Sequence, residues 1–274
     1  MSIKKWVSLS IVYVVLVILA YSLITGNNPF QSGKLDNNHE TSEVYKEEET
    51  MDHSEHNHHH NHQVESEVHT NVTYNDGKVF IELEDHTGAA PELAIEHEAE
   101  MHFIMVSNDL EKYYHLHPEK EQEGTYAVSQ DLNDGTYQAF VDITPENKAY
   151  QIAPNPVQVG TNETDKVRLE SEDKWTKEVD GKTVTLEDAH ATVGDEVPLV
   201  FDMHGETPDS YLGALGHVVI VDEDVEQYIH VHPASDDTTT FNAHFSQPGM
   251  YKIWAEFKFD DNVHVYPFII EVQA

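Results

Sequence analysis

A seventeen-residue segment that occurs twice is the feature of this chain that most constrains its fold. Residues 102–118 read HFIMVSNDLEKYYHLHP and residues 217–233 read HVVIVDEDVEQYIHVHP, with eight identities and no gap. Most of the other positions exchange one apolar residue for another, and both copies continue into a Gly-x-Tyr strand candidate, at Gly135 and Gly249. A long-period repeat of this kind predicts two related domains in tandem.

The chain after residue 70 has the pattern of a β protein. Short β-rich runs, such as residues 79–84, 125–128 and 136–141, are broken by Gly, Pro, Asn and Asp every 8–12 residues or so, which is typical of a sandwich or a small barrel. Pro154, Pro156 and Gly160, followed by polar residues 161–165, indicate a linker. We therefore expect a mainly β protein, with one β-sandwich over residues 71–160 and a second over residues 161–274.

The N-terminus predicts a membrane segment. Residues 6–24 carry no charge over nineteen positions, which is long enough to cross a bilayer, and the two lysines in residues 1–5 favour a cytoplasmic N-terminus. The rest of the chain then lies outside the cytoplasm. The small residues around Ala20 and Ser22 also allow cleavage as a signal peptide, so a secreted form is the alternative to a single-pass anchor.

Residues 25–70 are rich in Asn, Glu, Ser and His and poor in large apolar side chains, which predicts a disordered tether. Six of its histidines fall within ten residues: His53, His56, His58, His59, His60 and His62. Such a tract predicts a loose, high-capacity metal site, and a solvated spacer is the alternative.

Composition excludes several classes of function. The chain has 274 residues and a formal charge of -36, which repels nucleic acid. It has no cysteine, so disulfides, thiolate metal sites and a cysteine nucleophile are excluded. A metal ion would have to be held by nitrogen, oxygen or thioether, and twenty histidines are available.

Each repeat reads as a β-hairpin whose histidines converge. With a turn at residues 108–111, His102 lies opposite His117, and strand alternation places His115 on the same face. Opposed residues bring their Cβ atoms to about 5 Å, close enough for imidazoles to share one ion. The other face carries apolar residues that belong to the core, so the histidine face need not be buried.

The second copy predicts the stronger site. His217, His230 and His232 repeat the pattern, and His264 is a candidate fourth ligand, whereas Tyr150 occupies the corresponding position of the first domain. In the first copy, His86, His97 and neighbouring glutamates remain as candidates. Histidines that only hydrogen-bond to the backbone at a strand end are the alternative. Imidazole ligands without thiolate suit copper, with zinc or nickel as alternatives, and copper binds most tightly by intrinsic order.

The two H-x-H-P hairpins, with EHEAEMH in the first copy and YLGALGH in the second, resemble bacterial extracytoplasmic proteins of the YtkA-like and FixH-like kind, and more distantly CopC-like copper carriers. The resemblance covers about residues 75–272. It implies immunoglobulin-like sandwiches and a role in copper handling, metal transport or cytochrome oxidase assembly with an envelope partner. The chain lacks the mature N-terminal histidine of CopC-like proteins, so their individual ligands do not transfer.

Four other classes of protein compete with a metal carrier. Multicopper oxidases need a cysteine thiolate, which is absent here. A cupin-like metalloenzyme stays an alternative, although cupins have a glycine six residues before the H-x-H motif, where this chain has Asp109 and Asp224. A zinc-water enzyme would present the same three imidazoles and stays an alternative, as does an envelope interaction module with structural histidines. We expect a non-enzymatic protein for metal capture, buffering or delivery.

Overall fold

The computed structural model of the chain describes residues 65–274 apart from residues 189 and 236, and it does not describe the side chains of His230 and His232. The predicted membrane segment, residues 6–24, and the histidine cluster of the tether lie outside the described residues. Within residues 65–274, no helix is long and apolar enough to cross a membrane.

The first sandwich consists of eight strands in two four-stranded sheets. One sheet has the order β1-β2-β6-β5 and the other the order β4-β3-β7-β8. The strands are β1 (Val68–Asn75), β2 (Lys78–Asp85), β3 (His102–Ser107), β4 (Tyr113–Leu116), β5 (Glu119–Gln122), β6 (Thr125–Ser129), β7 (Gly135–Asp142) and β8 (Asn155–Val159).

The second sandwich consists of ten strands in two five-stranded sheets, with the orders β15-β16-β12-β10-β9 and β11-β18-β17-β13-β14. The strands are β9 (Thr176–Val179), β10 (Lys182–Leu186), β11 (Ala191–Thr192), β12 (Glu196–Asp202), β13 (His217–Asp222), β14 (Tyr228–His230), β15 (His232–Pro233), β16 (Thr240–His244), β17 (Gly249–Phe259) and β18 (Asn262–Gln273).

The strand orders are those of the immunoglobulin fold. In the first sandwich, strands 1, 2, 5 and 6 form the sheet that immunoglobulin domains build from strands A, B, D and E, and strands 3, 4, 7 and 8 form the opposing sheet. The second sandwich repeats this arrangement and adds β9 at one edge and β11, which pairs in parallel with β18. The prediction of two tandem immunoglobulin-like β-sandwiches is confirmed.

Strand alternation decides which side chains fill each core. In β3, Phe103 and Met105 point into the first sandwich, where they pack with Ile81, Val141 and Val157. The core of the second sandwich is richer in phenylalanine and includes Val218 and Ile220 of β13, the counterparts of Phe103 and Met105. Its fully buried phenylalanines are Phe201, Phe241, Phe245, Phe257 and Phe268. The predicted core faces of both hairpins are therefore the observed ones.

The opposite face of β3 is also buried, because the two sandwiches pack sheet against sheet. A third apolar cluster joins Ile104, Val106, Leu110 and Phe140 of the first sandwich to Val219, Val221, Val225 and Trp254 of the second. Two aromatic pairs stack across the contact: Tyr113 on Trp254 at 4.9 Å between ring centroids, and Phe140 on Tyr228 at 5.4 Å. The expectation that the histidine face need not be buried is therefore corrected: the second sandwich covers it.

Two boundaries differ from those expected from the sequence. β1 begins at Val68, inside the stretch assigned to the tether, since Val68 and Val72 pack in the first core. Pro154 and Pro156 do not belong to a linker: Pro156 lies within β8, a strand that pairs only with β7 and so tolerates a proline. The connection runs from residue 160 to residue 175, and Thr164 is held by hydrogen bonds with Thr136.

Candidate metal centre

The three histidines of the first repeat lie together at one end of the sheet contact. Phe103 pairs with Leu116, so the next pair along the hairpin is His102 and His117, as the spacing predicts. His102 Nδ1 lies 3.1 Å from His115 Nε2 and 3.2 Å from His117 Nε2. One nitrogen from each ring lies within 4.8 Å of the other two, which is the spacing of ligands around a single metal ion.

The outer nitrogens of two of these rings have hydrogen-bond acceptors. His102 Nε2 donates to the carbonyl of Glu96 at 3.1 Å, and His115 Nδ1 donates to Glu256 Oε2 at 2.7 Å. A carbonyl and a carboxylate accept hydrogens, so in the neutral rings the protons are on these outer nitrogens. His102 Nδ1 and His115 Nε2 therefore face each other as two lone pairs, 3.1 Å apart.

Burial lowers the pKa of two of these rings. Desolvation, followed by the charges of the neighbouring His115 and His102, lowers the pKa of His117 to about 4. Burial also lowers the pKa of His102, although the hydrogen bond to Glu96 opposes the shift. Neutral imidazole is the form that binds metal, so His102 and His117 are prepared for coordination at neutral pH.

The second sandwich contributes His217 to the same place. His217 Nε2 donates to the carbonyl of Tyr211 at 3.1 Å, just as His102 donates to Glu96. The two acceptors occupy equivalent tight turns, which are closed by the Glu96–Ala99 and Tyr211–Ala214 bridges. Burial, followed by the nearby His115, lowers the pKa of His217 to about 3. The first member of the predicted second site thus lies beside the first site.

A small cavity lies beside His102, His115 and His217. It has a volume of about 30 Å³, enough for an ion or a water molecule. A larger cavity of about 230 Å³ adjoins His102, and the acidic residues along it attract cations. The small cavity is lined by His97, His102, His115, Asp142 and His217 among others, and the larger one by Glu96, Glu100, His102 and Asp142 among others.

The remaining predicted ligands have separate positions. His230 pairs through its backbone with Val219, while His232 pairs with Asn242 in the opposite sheet, so the chain changes sheet between them. Their side chains are outside the description, and the second triad stays a prediction. The six tether histidines, His53, His56, His58, His59, His60 and His62, lie outside the described residues.

The expected approach of His264 to His217 is wrong. His264 is opposite Phe257, whose side chain points into the second core, whereas His217 is opposite Glu256 on the interface face. The two histidines therefore project from opposite faces of one sheet. His264 Nδ1 lies 3.5 Å from Asp180 Oδ2 instead.

Sequence reasoning missed the contribution of Glu256. The signal was available in the repeat, because Glu256 and Asp142 each lie seven residues after the glycine of the Gly-x-Tyr strand. Each acid is also paired with the first histidine of its own repeat, His217 or His102. The repeat does not predict that Glu256 contacts the other sandwich.

Comparison with known proteins identifies a family. Its description is domain of unknown function (DUF8832), and it matches residues 52–160 and 177–274, two segments that each contain one copy of the repeat. No curated protein matches the chain. The resemblance to YtkA-like, FixH-like and CopC-like proteins stays a prediction.

The solved structures that match the chain do so at low sequence identity and low TM-score. The Escherichia coli adhesin FdeC is 12% identical over 76% of this chain with a TM-score of 0.22, and the chain spans 65% of that structure. Fibronectin(III)-like modules of Clostridium thermocellum CbhA are 11% identical over 76% of this chain and 93% of theirs, with a TM-score of 0.22. The family match spans most of the sequence, and the chain therefore belongs to the family described as domain of unknown function (DUF8832).

Proposed function

We propose that this protein binds a divalent transition metal ion at the cluster of His102, His115 and His117. The observation that carries the proposal is the pair of facing lone pairs on His102 Nδ1 and His115 Nε2, 3.1 Å apart and largely buried. Two acceptors at this distance repel each other unless a cation or a shared hydrogen lies between them. A hydrogen on His117 Nε2, 3.2 Å from His102 Nδ1, would satisfy that nitrogen but would leave His115 Nε2 without a donor among the contacts described, whereas a metal ion satisfies all three nitrogens.

Copper(II) is the ion that we propose, with zinc and nickel as alternatives. The cluster offers imidazole nitrogen without thiolate, and copper(II) has the highest intrinsic affinity for such ligands among these ions. The hydrogen bonds from His102 to Glu96 and from His115 to Glu256 fix the ring orientations, which is the role of the outer partners in metal sites.

The biological role that we propose is capture, buffering or delivery of the metal on the outer side of a membrane, with an envelope metal-transport or oxidase-assembly protein as partner. The apolar residues 6–24 and the histidine tract of the tether support this placement. The small cavity beside His102, His115 and His217, at about 30 Å³, leaves little room for a substrate. The proposal is therefore for a binding protein and not for an enzyme.

The test is a metal titration of the full chain in which the six clustered histidines of the tether, at residues 53–62, are replaced by asparagine. Affinity for copper(II) and zinc(II) is measured by competition with a chelator of known affinity. His117→Ala is the informative variant, because His117 has no carboxylate or carbonyl partner among the hydrogen bonds described and its removal leaves Glu256 paired. We expect affinity to fall more than about 100-fold, since loss of an outer partner alone costs about 10–100-fold.

His264→Ala is the matched control. His264 is a buried histidine like His102, at 8% and 7% exposure, but it lies on the other face of its sheet. We expect it to leave metal affinity unchanged. Equal affinities for the parent chain and for His117→Ala, or no binding above that of a histidine-free peptide, would disprove the proposed function.

A further inference from the structure

The contact between the sandwiches is built by equivalent strands on the two sides. β3 and β7 of the first sandwich face β13 and β17 of the second, and the apolar cluster between them takes side chains from both. Polar groups also cross the contact: the Tyr228 hydroxyl donates to Asp142 Oδ2 at 2.8 Å, and Lys252 Nζ donates to the carbonyl of Leu110 at 2.8 Å. The histidine cluster lies at the edge of this contact.

One of the polar contacts across this surface reaches the metal cluster. His115 belongs to the first sandwich and Glu256 to the second, 141 residues apart, and their side chains are 4% and 5% exposed. A carboxylate buried to this degree requires a partner, and His115 Nδ1 supplies it. The orientation of a ligand in the first sandwich is therefore set by a residue of the second.

His217 extends the cluster from the second sandwich. Its ring centroid lies 6.0 Å from that of His102 and 5.8 Å from that of His115. Imidazoles that share one tetrahedral ion at the usual metal–nitrogen distance have centroids about 5 Å apart. The rings of His102, His115 and His117 lie 4.8 to 5.4 Å apart, so His217 is about 1 Å farther from His102 and from His115 than a shared ion requires, and it lies outside the group of three that could already hold one.

The nitrogen that His217 can offer is determined by its other contact. Because Nε2 donates to the Tyr211 carbonyl, Nδ1 has the lone pair, as in His102. His217 also lines the same small cavity as His102 and His115. Its position beside the cavity and the nitrogen that it offers therefore match those of His102.

We propose that the metal ion is bound jointly by the two sandwiches, with His217 as the fourth ligand and Glu256 as the positioning residue of His115. This inference rests on the proposed function. Its consequence is that metal binding and closure of the contact between the sandwiches are coupled. A bound ion holds the sandwiches together, and separation of the sandwiches releases it.

The experiment uses the full chain with the tether histidines replaced by asparagine, loaded with zinc(II) or copper(II). X-ray absorption of the zinc form counts the coordinated imidazoles, and electron paramagnetic resonance reports the nitrogen ligands of copper(II). We expect four imidazoles in the parent chain and three in His217→Gln. We expect Glu256→Gln to weaken binding about 10–100-fold, because the amide is a poorer acceptor for His115 Nδ1–H.

His264→Gln is again the control, and it should leave both the imidazole count and the affinity unchanged. Three imidazoles in the parent chain, together with an unchanged spectrum in His217→Gln, would overturn the joint site while leaving the triad intact. Loss of binding in His117→Ala separates this outcome from failure of the proposed function, in which none of these variants changes affinity. The count in the parent chain decides the inference even where a variant does not fold.

Discussion

Acidification should destabilise the metal-free protein through its buried histidines. The pKa of His217 is lowered to about 3 and that of His117 to about 4 by burial, whereas both have a pKa of 6.5 when exposed. Below pH 6.5 the unfolded chain takes up protons that the folded chain does not, so stability is complete above pH 6.5 and falls as the pH decreases towards 4. Histidines that are exposed in both the folded and the unfolded state have the same pKa in each, so they do not contribute to the pH dependence of the free energy of unfolding.

The magnitude follows from the shifts. For each histidine that stays neutral in the folded state, the free energy of unfolding falls by at most about 1.4 kcal/mol per pH unit below 6.5. At pH 5, the pair His117 and His217 should therefore lower the free energy of unfolding by about 2–4 kcal/mol relative to pH 7. The lowered pKa of His102 acts in the same direction.

The assay is urea unfolding at pH 7 and pH 5 in the presence of a chelator. Tryptophan fluorescence follows the transition, because Trp254 lies in the sandwich contact and Trp175 packs against the second core. The double variant His117→Gln, His217→Gln should lose most of the pH dependence, since it removes the two titrating groups while the exposed carboxylates remain. An equal loss of stability on acidification in the parent and in the double variant would refute the reasoning.

Three further predictions concern the contact and the site. Trp254→Ala should lower the free energy of unfolding by about 3–5 kcal/mol, measured by urea unfolding, because Trp254 is 3% exposed and stacks on Tyr113; an unchanged midpoint would show that the sandwiches do not pack through this face. Gly216→Ala should cost about 1–3 kcal/mol and weaken zinc binding in a chelator titration, because its Cβ would lie 2.6 Å from the Phe257 ring and 2.7 Å from the Glu256 carbonyl. Gly181→Ala is the control, because Gly181 lies in the turn between β9 and β10 with no atom within 4 Å of the added Cβ; its φ of +80° adds backbone strain, but the affinity should be kept. Zinc should slow amide hydrogen exchange in β3, β7, β13 and β17 and leave exchange in the β1–β2 hairpin unaffected. Equal protection of both regions would contradict the idea that the ion stabilises the contact between the sandwiches.

Much of the fold could be predicted because the informative patterns are local. The alternation in residues 102–107 assigns Phe103 and Met105 to one face and His102 to the other, and the turn after Ser107 sets the hairpin register. The approach of His102, His115 and His117 follows from that register alone. The assignment of His264 failed because a histidine in a neighbouring strand was placed without knowing its register against Glu256 and Phe257.

The sequence by itself determined the two related β-sandwiches and the set of histidines on one face of the first hairpin, since strand period and turn position act between residues close in the chain. Only the tertiary structure decided what covers that face. The alternation of a strand tells which side chains share a surface, but not which surface 100 or more residues away will pack on it. His115 contacts Glu256, and His102 lies beside His217, because a sheet of each sandwich packs against a sheet of the other. Burial of the apolar side chains between these sheets supplies the free energy of that packing.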